Sequence, residues 1–124
     1  MTTLVWIMLG GALGTGARYL ISNPLNGSTA EGYPYGTLAV NLLGCLAIGF
    51  LATALTEALV REELKLALLV GCLGGFTTFS SFGLETLSLM QHGRFTAALS
   101  YVLISNVCGL ALAWMGFKAA GALA

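Results

Sequence analysis

Four long apolar stretches, parted by short polar joints, organise the chain. They run from about Thr3 to Ile21, Gly36 to Ala58, Lys65 to Met90 and Phe95 to Ala119. Each reaches or exceeds the ~20 apolar residues that a membrane crossing needs. The joints carry breakers and charge: Ser22 to Tyr35 with Pro24 and Pro34, then Arg61-Glu62-Glu63, then Gln91-His92-Gly93-Arg94. The second and third joints are short, so the helices on either side of each run antiparallel. The pattern predicts a single four-helix transmembrane domain over 1–124, all α, with both termini on one side and no soluble domain left over.

Composition agrees. Of 124 residues, 57% are hydrophobic and 8% charged, where soluble domains carry about 25% charged. The net charge is zero, so no basic face for nucleic acid is offered. Met1 to Leu9 lacks the positive start of a secretory signal. Cys45, Cys72 and Cys108 fall in separate apolar runs without metal-ligand spacing and read as small buried apolar residues.

Lysine and arginine near the membrane ends set orientation. The side of the termini holds Arg61, Lys65 and Lys118; the other holds Arg18 and Arg94. That balance gives almost no bias. The expectation is insertion both ways, with an antiparallel homodimer formed from the two orientations. Small residues favour close packing: Gly10-x-x-x-Gly14, Gly71-x-x-x-Gly75 and the looser Ser105-x-x-x-Gly109.

The third stretch holds GGFTTFSSFG, Gly74 to Gly83. Each glycine weakens a helix by roughly 1 kcal/mol relative to alanine, and two followed by Thr77-Thr78 invite a break in mid-membrane. Unpaired backbone at that depth is tolerated only inside protein or beside water. Freed carbonyls there can hold a cation and freed N–H groups an anion. The plainer reading is a glycine packing patch in an unbroken helix.

Phe79 and Phe82 share a helix face. Ring edges are weakly positive, and edges turned into a narrow path would face a dehydrated anion. Ser80 and Ser81 place hydroxyls beside the rings. Asn41, inside an otherwise apolar helix, offers an amide donor, or an interhelical hydrogen bond. Tyr101 and Ser105 share a face of the fourth helix, whereas Asn106 points away from them and reads as structural. Asn41, Phe79, Phe82, Tyr101 and Ser105 thus offer donors and ring edges without fixed charge.

Arg18, at the end of the first stretch, suits an anion vestibule or an interfacial anchor. Glu85 is the acid deepest in a span; intramembrane acids are costly and often functional. It fits either a hydrogen bond to a hydroxyl or a proton relay. His92 reads as a loop residue. The sequence shows no Cys/His pair, Ser/His/Asp set, phosphate loop or carboxylate pair, so an enzyme is not expected.

The blocks GGALGTGARY (Gly10 to Tyr19), YGTLAVNLLG (Tyr35 to Gly44) and GGFTTFSSF (Gly74 to Phe82) resemble the Fluc, or CrcB, fluoride channel family. Tyr101-x-x-x-Ser105-x-x-x-Gly109 is similar to its fourth helix, and the likeness covers essentially the whole chain. The resemblance implies antiparallel dual-topology dimers with two pores that passively export fluoride across the microbial plasma membrane. It makes Phe79 and Phe82 the pore phenylalanines and Asn41 the pore asparagine. Ser80, Ser81 and Tyr101 become polar pore contacts, and Thr37 and Glu85 lie on the polar path. It also implies a structural sodium ion at the dimer centre, held by the backbone carbonyls of Gly74 and Thr77. The implied partners are fluoride, membrane lipid and a second copy of the chain. Two departures are visible: Ser81 stands where the family usually has threonine, and Gly109 offers no hydroxyl. The rival reading is a proton-coupled transporter of the small multidrug type using Glu85. Such transporters rely on an acid in the first helix, and Thr3 to Ile21 contains none.

Overall fold

The structure is a computed structural model that describes residues 1–26, 32–58 and 60–123. The described residues are helical almost throughout: α1 (Thr2–Asn26), α2 (Tyr35–Glu57), α3 (Glu62–Leu66), a π-helical turn (Ala67–Cys72), α4 (Leu73–Phe76), α5 (Phe79–Gln91) and α6 (Phe95–Leu123). Four spans are long and apolar enough to cross a membrane: Thr2–Asn26, Tyr35–Thr56, Glu62–Gln91 and Phe95–Leu123. The expected all-helical, four-span architecture is therefore present. The middle of the first joint, residues 27–31, lies outside the described residues.

α1 runs past the expected end at Ile21 and through Pro24 to Asn26. Proline lacks an N–H and normally breaks a helix interior. Here it stands two residues from the end, where little helix remains to be lost. The extension matters because it delivers Asn26 to the start of α2. The Asn26 Oδ1 accepts from the N–H of Gly36 at 2.8 Å and of Thr37 at 3.1 Å. Those N–H groups belong to the first turn of α2, which has no intrahelical acceptor for them. Pro34, the residue before the helix, has no capping side chain of its own.

Two glycine-mediated contacts bring the spans together. A Cβ on Gly10 or Gly14 would overlap the carbonyls of Ala67 and Cys72. A Cβ on Gly71 or Gly75 would overlap those of Ile7 and Gly11. The two Gly-x-x-x-Gly motifs thus pack on each other, backbone to backbone, where the third span passes through its π-helical turn. α2 and α6 pack likewise: Gly49 lies on the Ala113 carbonyl and Gly116 on that of Leu46. Gly109 meets a side chain instead, with the Cys45 Sγ beside it.

α5 ends in a Schellman turn. The N–H of Arg94 reaches the Leu89 carbonyl at 2.8 Å and that of Gly93 the Met90 carbonyl at 3.0 Å. Gly93 has φ 71°, which a side chain would oppose. His92 sits at this end with Nδ1 2.8 Å from the Ser88 carbonyl. Behind the turn a small core forms from Leu89, Ala98 and Tyr101, joined by Tyr33, Leu38 and Phe82.

Candidate functional site

The helical backbone of the third span stops at Phe76 and resumes at Phe79. Thr77 is extended (φ −85°, ψ 157°), and so is Thr78 (φ −150°, ψ 115°). The groups of Thr77 and Thr78 find partners. The Thr77 N–H and hydroxyl both donate to the Leu73 carbonyl, at 3.0 and 2.9 Å. The Thr78 N–H donates to the Asn41 Oδ1 at 2.7 Å, and the Asn41 Nδ2 donates to the Thr78 carbonyl at 3.0 Å. Asn41 is the interhelical hydrogen-bonding residue that the sequence left open, and it also faces the cavity described below. α5 then starts with Thr78 as its N-cap, whose Oγ1 accepts from the Ser81 N–H at 3.2 Å. That hydroxyl donates to the Ser81 hydroxyl at 3.1 Å and lies 3.3 Å from the Ser80 hydroxyl.

A cavity of about 380 Å³ opens beside this region. Asn41, Thr77, Thr78, Phe79, Phe82 and Ser105 contribute to its wall, with Gly74 and the apolar side of α2. Among the described residues, none that lines it is Asp, Glu, Lys or Arg. Asn106 reaches the same wall, while its amide donates to the Val102 carbonyl one turn back. The Ser105 Oγ is buried and makes no hydrogen bond among the described residues. The Phe79 ring is 83% exposed on the single chain and lies 5.4 Å from that of Phe82.

Phe82 links the cavity to a second polar cluster. Its ring meets Tyr101 edge-on, at 5.1 Å and 70°. The Tyr101 hydroxyl donates to the Glu85 Oε2 at 2.7 Å. The Thr37 hydroxyl donates to the Glu85 Oε1 at 2.6 Å, and the Asn26 Nδ2 lies 3.4 Å from the same oxygen and 3.1 Å from the Thr37 hydroxyl. Thr37 and Tyr101 are almost fully buried. The Tyr33 ring lies 5.7 Å from that of Tyr101, tilted by 58°, and its hydroxyl lies 3.3 Å from that of Ser100.

The residues singled out in the sequence therefore divide. Asn41, Phe79, Phe82 and Ser105 line the cavity, with Gly74 and Thr77. Thr37, Glu85 and Tyr101 form the carboxylate cluster, and Ser80 and Ser81 belong to the hydroxyl group around Thr78. Arg18 is not at a helix end. It lies within α1 and its Nη1 is 3.4 Å from the Thr77 carbonyl. Sequence reasoning missed Thr78 as a cap, although its place just before α5 suits that role. It also missed Asn26, hidden because Pro24 suggested that the helix had already ended.

The family described as CrcB-like protein, Camphor Resistance (CrcB), matches residues 5–117. The chain belongs to the CrcB family. This CrcB chain is 46% identical over 114 residues to a protein of Magnetococcus marinus, covering 91% of this chain and 93% of that one. It is 43% identical over 121 residues to one of Geobacter metallireducens, covering 97% and 98%. It is 41% identical over 115 residues to one of Helicobacter pylori (strain G27), covering 89% and 88%. Each of these relatives is named fluoride-specific ion channel FluC.

Proposed function

We propose that this CrcB protein is a passive, fluoride-selective channel of the plasma membrane that lets fluoride leave the cell. It is not an enzyme. The observation that carries the reading is the uncharged cavity at the discontinuity of the third span. Phe79, Phe82, Asn41 and Ser105, whose hydroxyl has no partner among the described residues, line it together. Weak, preorganised donors can replace the water of a small anion without the deep trap that a fixed cation would make. A site that binds too tightly does not conduct. Relatives named as fluoride-specific channels supply the identity of the ion.

The path we propose runs past Phe79 and Phe82, along Ser80 and Ser81, and over Tyr101 toward Thr37 and Glu85. Phe82 touches Tyr101 and so joins the two parts. Arg18 then acts from the break and not from a vestibule at a helix end. The rival, proton-coupled exchange through Glu85, is not favoured: its carboxylate is held by Thr37 and Tyr101 hydroxyls, and α1 offers no acid to act as the coupling group.

The working form in this reading is an antiparallel homodimer with the break of the third span in mid-membrane. Between 11% and 17% of an 18-residue apolar stretch in each span is buried within one chain, so broad faces, including Phe79, are left for lipid and a second copy. Labelling each terminus and mapping its sidedness tests this; one fixed orientation would refute it. A sodium ion at the dimer centre fits the donors present. α4 ends in carbonyls without helical partners, and a half-helix C-terminus suits a cation. The space beside Gly74 is open, with nothing within 4 Å of a Cβ built there. The Thr77 carbonyl carries the long Arg18 contact and keeps a second lone pair. Each chain would contribute the Gly74 and Thr77 oxygens, and the ion would hold the two breaks together. Fluoride efflux from liposomes, measured against chloride, tests the channel.

A further inference from the structure

We propose that Asn26 is a positioning residue for the Glu85 carboxylate, holding it by an amide N–H while its amide oxygen anchors the start of α2. This rests on the channel reading, because that reading gives Glu85 its place on the ion path. The bonding on which it stands does not. Asn26 uses both ends of its side chain. Oδ1 accepts from the Gly36 and Thr37 N–H groups at 2.8 and 3.1 Å. Nδ2 faces the Thr37 Oγ1 at 3.1 Å and the Glu85 Oε1 at 3.4 Å. The direction of the amide is fixed by this pairing: an oxygen must face the two backbone donors, so the NH₂ must face the carboxylate.

The local sequence is built around the contact. A Cβ on Gly36 would overlap the Ser22 carbonyl and come within 2.8 Å of the Asn26 Oδ1. Glycine at 36 therefore lets the end of α1 seat itself against the start of α2. The Thr37 hydroxyl lies between Asn26 and Glu85, receiving from one and donating to the other. Tyr101 holds the remaining carboxylate oxygen from α6, and the Tyr33 ring backs Tyr101 from the loop. Three spans and the end of α1 thus converge on one carboxylate. Asn26 also ties α1 to α2 through Gly36 and Thr37, so the aim of Glu85 depends on how the first two helices meet.

A capping role and a positioning role make opposite predictions for Asn26→Asp. The carboxylate of aspartate is as good a cap as asparagine, so a residue that only capped α2 would tolerate the change. A residue that donates to Glu85 would not. The N–H···O contact becomes two carboxylate oxygens facing each other, a like-charge pair that disfavours the arrangement. Adding Glu85→Gln to Asn26→Asp exchanges acid and amide between the two positions. The new amide NH₂ at position 85 can then donate to the new carboxylate at position 26.

The experiment is a double-mutant cycle on the purified full chain: wild type, Asn26→Asp, Glu85→Gln and the double variant. Each is read by thermal unfolding in detergent and by fluoride efflux from liposomes. We expect Asn26→Asp to lower efflux about tenfold and the double variant to recover to within about threefold of Glu85→Gln alone, a coupling of the size found between contacting residues. The unfolding midpoint of Asn26→Asp should fall by about 4 °C and return in the double variant. Wild-type behaviour of Asn26→Asp in both readouts overturns the proposal. So does a loss that Glu85→Gln leaves unrepaired. If Asn26→Asp does not fold, a folded double variant supports the coupling and an unfolded one refutes it. Should the wild type conduct no fluoride, the channel reading fails, while the unfolding cycle still decides the role of Asn26.

Discussion

The side-chain amide of Asn41 on α2 pairs with both backbone groups of Thr78, accepting from its N–H at 2.7 Å and donating to its carbonyl at 3.0 Å. It supplies the hydrogen bonds that a continuous helix would have supplied. This pairing explains how an extended residue that is almost fully buried can persist in a span that must satisfy its own backbone.

Replacing Asn41 with leucine, similar in size, tests that role. Two buried backbone groups are left without partners, at a cost of about 1–3 kcal/mol each. The unfolding midpoint in detergent should fall by about 5–15 °C. An unchanged midpoint would show that water or a rearranged loop satisfies Thr78 equally well.

Gly14→Ala and Gly16→Ala should behave in opposite ways. A Cβ at 14 would overlap the backbone of Cys72 and Phe76, so α1 and the third span must separate. A Cβ at 16 meets nothing within 4 Å in the chain, and alanine is the better helix former by roughly 1 kcal/mol. Folded yield and unfolding midpoint should drop for the first and hold or rise for the second. Loss at both positions would place Gly16 against a second copy of the chain.

Much of this architecture is legible in the sequence, because lipid makes few demands beyond length and apolarity. The spans, the Gly-x-x-x-Gly seams and the turn at His92-Gly93 all follow from local patterns. Gly10-x-x-x-Gly14 and Gly71-x-x-x-Gly75 can be read as packing faces, but not as each other's partners, since pairing is a tertiary fact. The same limit applies to Asn41. An amide in an apolar helix announces a hydrogen bond, yet nothing local says that both its ends are taken by Thr78. Arg18 is misplaced by the sequence for a related reason: Pro24 looks like a stop, and the helix continues beyond it to place Asn26. The Thr37–Glu85–Tyr101 cluster joins three spans, and no spacing rule within one helix reveals it.

Phe79 and Phe82 should separate stability from conduction. Phe79 is 83% exposed on one chain and packs little within it. Phe79→Ile should leave the unfolding midpoint within about 2 °C, as for a surface substitution, while fluoride efflux is lost. Phe82 packs edge-on against Tyr101, so Phe82→Ile should lower both. Full efflux from folded Phe79→Ile would remove that ring from the path.

Glu85→Gln distinguishes the passive channel from a proton-coupled carrier. The Thr37 and Tyr101 hydroxyls donate to different carboxylate oxygens, so one of them can still donate to the amide oxygen while the other meets an NH₂. Fluoride should still move down its own gradient, at a reduced rate of about one tenth or more of wild type, a loss of up to about 1.4 kcal/mol. An imposed proton gradient should drive no fluoride uphill in either protein. Uphill transport by the wild type that vanishes in Glu85→Gln would establish coupling through this acid.

The most direct measurement is ion efflux from liposomes that hold the purified protein and are loaded with fluoride and chloride. A potassium ionophore is added to release the counter-charge, and both anions are followed with electrodes. The channel account predicts rapid fluoride release while chloride stays inside. Retention of fluoride by liposomes carrying well-folded protein, or release of both anions together, would contradict it.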